Sequence, residues 1–149
     1  NLITCSWFGT LASEPPTVGV SIRKNRFSFD LIRDTGEYTV NIPRASQLDI
    51  VKHCGTVSGK DHDKFKDLGL TPEPCPPLKS APMAAEIPLV LACKVIHELE
   101  LGSHHQFVGE VVAIHAEKEL VRTSGRPDPF PPEQVVYLDG KYWTLKPAE

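Results

Sequence analysis

From Pro16 to Arg23 the chain reads PTVGVSIR, with Val18, Val20 and Ile22 alternating with Thr17, Gly19 and Ser21. A period of two predicts a strand with one buried face. The preceding NLITCSWFGTL is apolar and β-branched at its start and predicts another strand, with Pro15-Pro16 separating the two. Ser28 to Gly36 predicts a short helix: Ser28 as N-cap, Leu31 and Ile32 as the apolar face, Gly36 as the stop. EYTVNIP then predicts a strand closed by Pro43, and Ser46 to His53 a second helix. A third helix is expected from Gly59 to Leu68, with Ser58 as N-cap, Asp61 three residues on, and Gly69 as the end. Thr71 to Pro88 holds six prolines and predicts an extended connector, because proline donates no hydrogen bond and restrains the residue before it. Leu89 to Leu101 and Gln106 to Ala116 predict a long antiparallel hairpin with GSHH, residues 102–105, as its turn. A proline-rich loop, GRPDPFPPE, precedes a second hairpin, in which Asp139-Gly140 joins Val135–Leu138 to Lys141–Leu145. No internal repeat is visible. The pattern is mainly β with short helices inserted, and one domain in a small Greek-key barrel accommodates it.

Composition narrows the function. At 149 residues and 40% hydrophobic content, a packed core is expected. The net charge of −3 argues against a nucleic-acid partner. No apolar run approaches the roughly 20 residues that span a bilayer, and the N-terminus shows no basic segment followed by an apolar one. Neither a membrane nor a secretory signal is therefore expected, and a chain opening on Asn1 points to trimming ahead of it. Cys5, Cys54, Cys75 and Cys93 have wide, irregular spacing and no Cys-x-x-Cys pair. That pattern reads as reduced thiols in a cytoplasmic protein, with neither a disulfide framework nor zinc.

Two segments suit an anion. Arg23, Lys24 and Arg26 put three positive charges within four residues, between a strand end and a helix start. Backbone donors and the helix dipole add to the side chains there, and Ser28 adds a hydroxyl. CGTVSGK, Cys54 to Lys60, offers glycines for close approach, the Thr56 and Ser58 hydroxyls and the Lys60 charge. A solvated turn and an ordinary capped helix entrance are the competing readings. His104 and His105 are adjacent on a strand or turn and face opposite ways, so they do not chelate one metal together. Asp61, His62 and Asp63 are consecutive on an expected helix and likewise share no face. One of the two turn histidines is the sole side chain considered for proton chemistry. Trp7 and Trp143 read as a planar slot or as core.

In order, NLITCSWFGTL with its following prolines, VSIRKNRFSFDLI, GEYTVNIP, CGTVSGKDHDKF, ELGSHHQFVGEVVAIH and YLDGKYWTL resemble the flavin reductase-like family, the FMN-binding split barrels that include flavoredoxin. The resemblance covers nearly the whole chain. It implies a Greek-key split β-barrel over residues 1–149, lacking a first strand that family members carry before the position of Asn1. It implies FMN against Thr4, Cys5, Ser6 and Trp7 and against the strand end at Ser21, Ile22 and Arg23. Arg23, Lys24 and Ser28 would hold the phosphate, with Ser58, Gly59 and Lys60 contributing from the second segment. His104 would approach the ring, across the interface of a homodimer, as the one candidate for a catalytic role.

The implied activity is an FMN-dependent oxidoreductase. It would take electrons from NADH or NADPH to flavin, or through bound flavin to a protein or ferric acceptor. The family's chemistry resides in the cofactor, so a strong acid–base motif is not required. The alternative is a flavin-binding electron carrier or storage module without its own NAD(P)H activity. A third reading is a barrel that binds no flavin.

Overall fold

The computed structural model describes residues 1–125 and 134–145. Five strands make one antiparallel sheet in the order β1-β2-β7-β6-β3: β1 is Phe8–Ser13, β2 Pro16–Ile22, β3 Glu37–Ile42, β6 Leu89–Leu101 and β7 His104–Ala116. Helix α1, Phe27–Thr35, links β2 to β3. A 3-10 turn at Ala45–Gln47 runs into α2, Leu48–Thr56, and α3 is Lys64–Leu68. Two small hairpins lie outside the main sheet: β4 (Pro72–Glu73) with β5 (Met83–Ala84), and β8 (Val135–Leu138) with β9 (Lys141–Thr144). The sheet does not close on itself; β1 and β3 are its edges.

The period-two expectation for β2 holds: Val18, Val20 and Ile22 are buried in one cluster with Phe29, Ile32, Tyr38, Cys93 and Phe107. This core lies between the sheet and α1. Strand β6 is buried on both faces at its start. Cys93 joins the α1 cluster, while Val90 and Ala92 pack with Leu70, Cys75, Leu78 and Ile87 from the proline-rich side. That second cluster explains the prolines: the connector covers one face of the sheet, and only a short pairing, Pro72 with Ala84 and Glu73 with Met83, is regular within it.

Several boundaries differ from the sequence reading. The first strand starts at Phe8, and residues 1–7 form an irregular segment. Helix α1 begins at Phe27 with Arg26 at the N-cap, so Ser28 lies inside the helix and is buried. Its hydroxyl accepts a hydrogen bond from Asn1 Nδ2 at 2.7 Å instead of capping. Helix α3 begins at Lys64, capped by Asp63, whose side chain accepts from the Lys66 amide; residues 58–61 are a turn. Gly36 and Gly69 terminate their helices in the left-handed conformation as expected. His104 and His105 belong to β7, paired with Leu101 and Glu100, and the turn is Gly102-Ser103 alone. Asp139 and Gly140 both have positive φ, the conformation a two-residue hairpin turn requires. From residue 126 on, the expected GRPDPFPPE loop lies outside the described residues.

Gly109 on β7 faces the Tyr38 ring. A Cβ there would lie 2.7 Å from Tyr38 Cζ. Tyr38 is buried, and its hydroxyl donates to the Val18 carbonyl at 3.1 Å. Gly109→Ala therefore displaces the ring and breaks that bond. The expected loss is about 1–3 kcal/mol, measured by urea unfolding, whereas Gly9→Ala, with open space at its Cβ, should change stability far less.

Candidate functional site

The irregular N-terminal segment runs beside the end of β2. The Ser21 amide donates to the Trp7 carbonyl at 2.9 Å. Cys5 Sγ lies 3.4 Å from the Trp7 carbonyl and 3.6 Å from that of Ser21. Thr4 Oγ1 donates to the Val51 carbonyl at 2.5 Å, which fixes the segment to α2. Thr4, Cys5 and Ser6, with Ile22, line a largely apolar cavity of about 590 Å³ between this segment, the sheet and α2. Trp7, 59% exposed, turns outward. It packs on His104, ring centroids 4.0 Å apart. Of the residues that the resemblance placed beside the flavin ring, Thr4–Trp7, Ser21, Ile22 and His104 lie close together; the Arg23 side chain has no hydrogen bond or ion pair to them among the described residues.

His104 and His105 part company as strand neighbours must. His104 Nδ1 lies 2.9 Å from Ser103 Oγ, on the Trp7 side. His105 turns inward against Phe29 and Phe107, with Nε2 3.0 Å from Glu98 Oε2. Its Nδ1 is buried without a hydrogen-bond partner among the described residues.

Phe27, the residue after the basic turn, meets the Gly59–Lys60 turn. These residues line one cavity of about 370 Å³ together with Asn1, Asp61, His62, Asp63 and Lys64. Gly59 is required at this junction: a Cβ would lie 2.8 Å from the Phe27 ring and would collide with the Asn1 side chain. The Ser58 hydroxyl accepts from the Lys60 amide at 3.2 Å and so shapes the turn.

The charges sort into spent and available. Lys24 is paired with Glu100 at 2.5 Å and holds that carboxyl below its ordinary value, chiefly by hydrogen bonding. Among the described residues, the Arg23, Arg26 and Lys60 side chains show no ion pair or hydrogen bond. Lys64, by contrast, is committed inward, donating to the Leu2 and Cys54 carbonyls at 2.7 and 2.9 Å. Arg26 and Lys64 repel each other electrostatically. Sequence reasoning noted the basic turn but missed Lys64, whose signal was only its place in the KDHDKF run.

All four cysteines are free thiols, and burial pushes each of them up, Cys93 to about 12. Cys5 alone is partly accessible. A thiol reagent at mildly alkaline pH should therefore label Cys5 slowly and leave the other three untouched until the protein is denatured, as read by mass spectrometry.

Residues 1–146 match the family model described as flavin reductase like domain. A flavoredoxin of Desulfovibrio vulgaris (Miyazaki F) superposes with a TM-score of 0.88 at 31% identity, over 99% of this chain and 79% of that one. A flavoredoxin from Methanosarcina acetivorans gives 0.87 at 30%, over 100% and 79%. Among curated sequences, an uncharacterized protein of Archaeoglobus fulgidus is 34% identical over 128 residues, 86% of this chain and 71% of the relative. With an open five-stranded sheet, an N-terminal segment laid along β2 and a match over nearly its full length, the chain belongs to the flavin reductase-like family and has its split-barrel fold.

Proposed function

We propose that the chain binds FMN and works as an NAD(P)H-dependent flavin oxidoreductase. The observation that carries this reading is the cavity where Phe27, directly after the Arg23–Arg26 turn, meets Gly59 and Lys60; Asp61 and Asp63 also line it, while Arg23, Arg26 and Lys60 have no ion pair or hydrogen bond among the described residues. Unbalanced cations beside backbone donors fit a single phosphate group, the one FMN carries. Arg23, Lys60 and the Ser58 hydroxyl would hold that phosphate; Lys24 and Ser28, engaged with Glu100 and Asn1, would support it only indirectly. The Thr4–Trp7 segment, the Ser21–Ile22 strand end and His104 would face the ring. Bound FMN supplies the redox chemistry, accepting a hydride and releasing electrons. The chain's own part is to fix the phosphate, present backbone groups along the ring edge and leave one face open for a nicotinamide.

The exposed apolar residues Ile96, Leu99, Leu101 and Ile114 on the long hairpin support a homodimer, and four free thiols support a cytoplasmic setting. Among the described residues no helix is long and apolar enough to cross a membrane. The likeness to two flavoredoxins also favours a second reading, an electron carrier reduced by another protein.

One experiment separates these readings. The protein is titrated with FMN, then with NADH and NADPH under anaerobic conditions, while flavin absorbance and fluorescence are followed. Quenched fluorescence on binding, then bleaching by either nucleotide, is the expected result. Bound flavin bleached only by a reduced protein donor would establish the carrier instead. Unchanged fluorescence with both FMN and FAD would end the flavin reading.

A further inference from the structure

Beside the cavity proposed for the phosphate, α2, the segment before α3 and α3 itself each contribute one side chain to a single point, and of these His62 also lines that cavity. His53 Nε2 lies 3.2 Å from Asp67 Oδ2, and His62 Nδ1 lies 2.9 Å from the same oxygen. The three ligand-capable atoms all fall within 4.8 Å of one another, and the two imidazole rings stand nearly perpendicular at 86°. We propose that His53, His62 and Asp67 form a binding site for a divalent transition-metal cation of the zinc class.

The geometry supports this in three ways. Zinc bonds to His nitrogen and carboxylate oxygen are about 2.0–2.2 Å, so tetrahedral ligand atoms stand roughly 3.3 Å apart. Separations of 2.9 and 3.2 Å need only small side-chain rotations to reach that spacing. Two imidazoles and one carboxylate are a donor set that late first-row cations prefer over magnesium or calcium. The ligands also come from separate elements, each held independently. His53 sits in α2. Asp67 sits in α3, its amide donating to the Asp63 carbonyl at 2.8 Å. The His62 amide donates to the Ser58 carbonyl at 3.0 Å. All three side chains are partly solvent-exposed, so a cation can enter and a water can take the remaining position, as in three-ligand zinc sites. A cation there would fasten α2, α3 and the Ser58–Lys60 turn together. The competing account is a His–Asp–His hydrogen-bonded clasp that holds the same elements without metal.

The test uses the full chain, stripped with a chelator, at a mildly alkaline pH, since metal binding competes with protons. Zinc ion alone is titrated by calorimetry into the wild type, His53→Ala, His62→Ala and, as a control, His97→Ala. Circular dichroism verifies that each is folded. The expected result is one zinc per chain in the wild type and in His97→Ala, with a rise in Tm on binding. Each ligand variant should lose at least ~10-fold in affinity, since even outer-shell changes cost about 10–100-fold. Cobalt ion should give the visible bands of a tetrahedral site without a thiolate charge-transfer band. No saturable binding by the wild type would overturn the proposal in favour of the clasp. Equal affinity in both ligand variants, or a thiolate band with cobalt, would overturn it by placing the metal elsewhere.

Discussion

Lys64→Met should be among the most destabilising single substitutions in the chain, lowering stability by about 2–5 kcal/mol. Lys64 is 3% exposed, and its ammonium donates to the carbonyls of Leu2 and Cys54. Methionine keeps the apolar stem but leaves two acceptors short of a partner, each worth about 1–3 kcal/mol when buried. It also removes one tie between the N-terminal segment and α2, leaving the Thr4 bond to Val51. Burial holds the Lys64 ammonium below the ordinary lysine value. In the window between that lowered value and about 10.4, the unfolded chain binds the extra proton, so wild-type stability rises with pH there relative to the variant. Urea unfolding of both proteins across neutral to alkaline pH checks both statements. A variant within 0.5 kcal/mol of wild type, or a gap that narrows as pH rises, would be the contrary result.

Replacing Arg23 and Lys60 together by alanine should weaken FMN binding by about 2–4 kcal/mol, roughly 30- to 1,000-fold in Kd. Neither side chain has a protein partner among the described residues, so the double variant should keep its fold and Tm. The loss should shrink as salt is added, because screening already weakens exposed charges in the wild type. Lys24→Ala is the matched comparison. It removes an exposed pair with Glu100, worth about 0–1 kcal/mol, and should leave FMN affinity nearly unchanged. Fluorescence titration at two salt concentrations reads all of these. Affinity within twofold of wild type in the double variant would remove the phosphate from this turn.

Strands were legible wherever alternation or a two-residue turn marked them. Val18, Val20 and Ile22 face the core as their spacing predicts, and Asp139-Gly140 turns where expected. Helix starts were less legible. Ser28 and Ser58 have cap chemistry, but Arg26 and Asp63 occupy the cap positions, because Ser28 is drawn inward to Asn1 and Ser58 is spent on the Lys60 turn. The first strand was placed too early, since Leu2, Ile3 and Cys5 are apolar for packing against the two cores rather than for pairing. The contact of Phe27 with the Gly59–Lys60 turn and the His53–His62–Asp67 cluster are tertiary facts. His62 shares no face with Asp61 or Asp63, yet it reaches residues nine positions before it and five after it once α2 and α3 are set side by side.

The strand order has a bearing on how the molecule comes into being. The central pair of the sheet, β7 and β6, is encoded last among its five strands, while β1–β2 and β3, its two flanks, are encoded first. A nascent chain that has emerged as far as Pro88 holds both flanks and neither central strand, with Cys93 and Phe107 still missing from the core that Val18, Val20 and Tyr38 share with α1. The five-stranded sheet is complete only with residue 116, because β7 pairs with β2, β6 pairs with β3, and the two pair with each other. A product that ends short of that hairpin lacks Cys93 and Phe107 from one core and Val90 and Ala92 from the other, and the apolar surface so exposed makes it a substrate for chaperones and proteases.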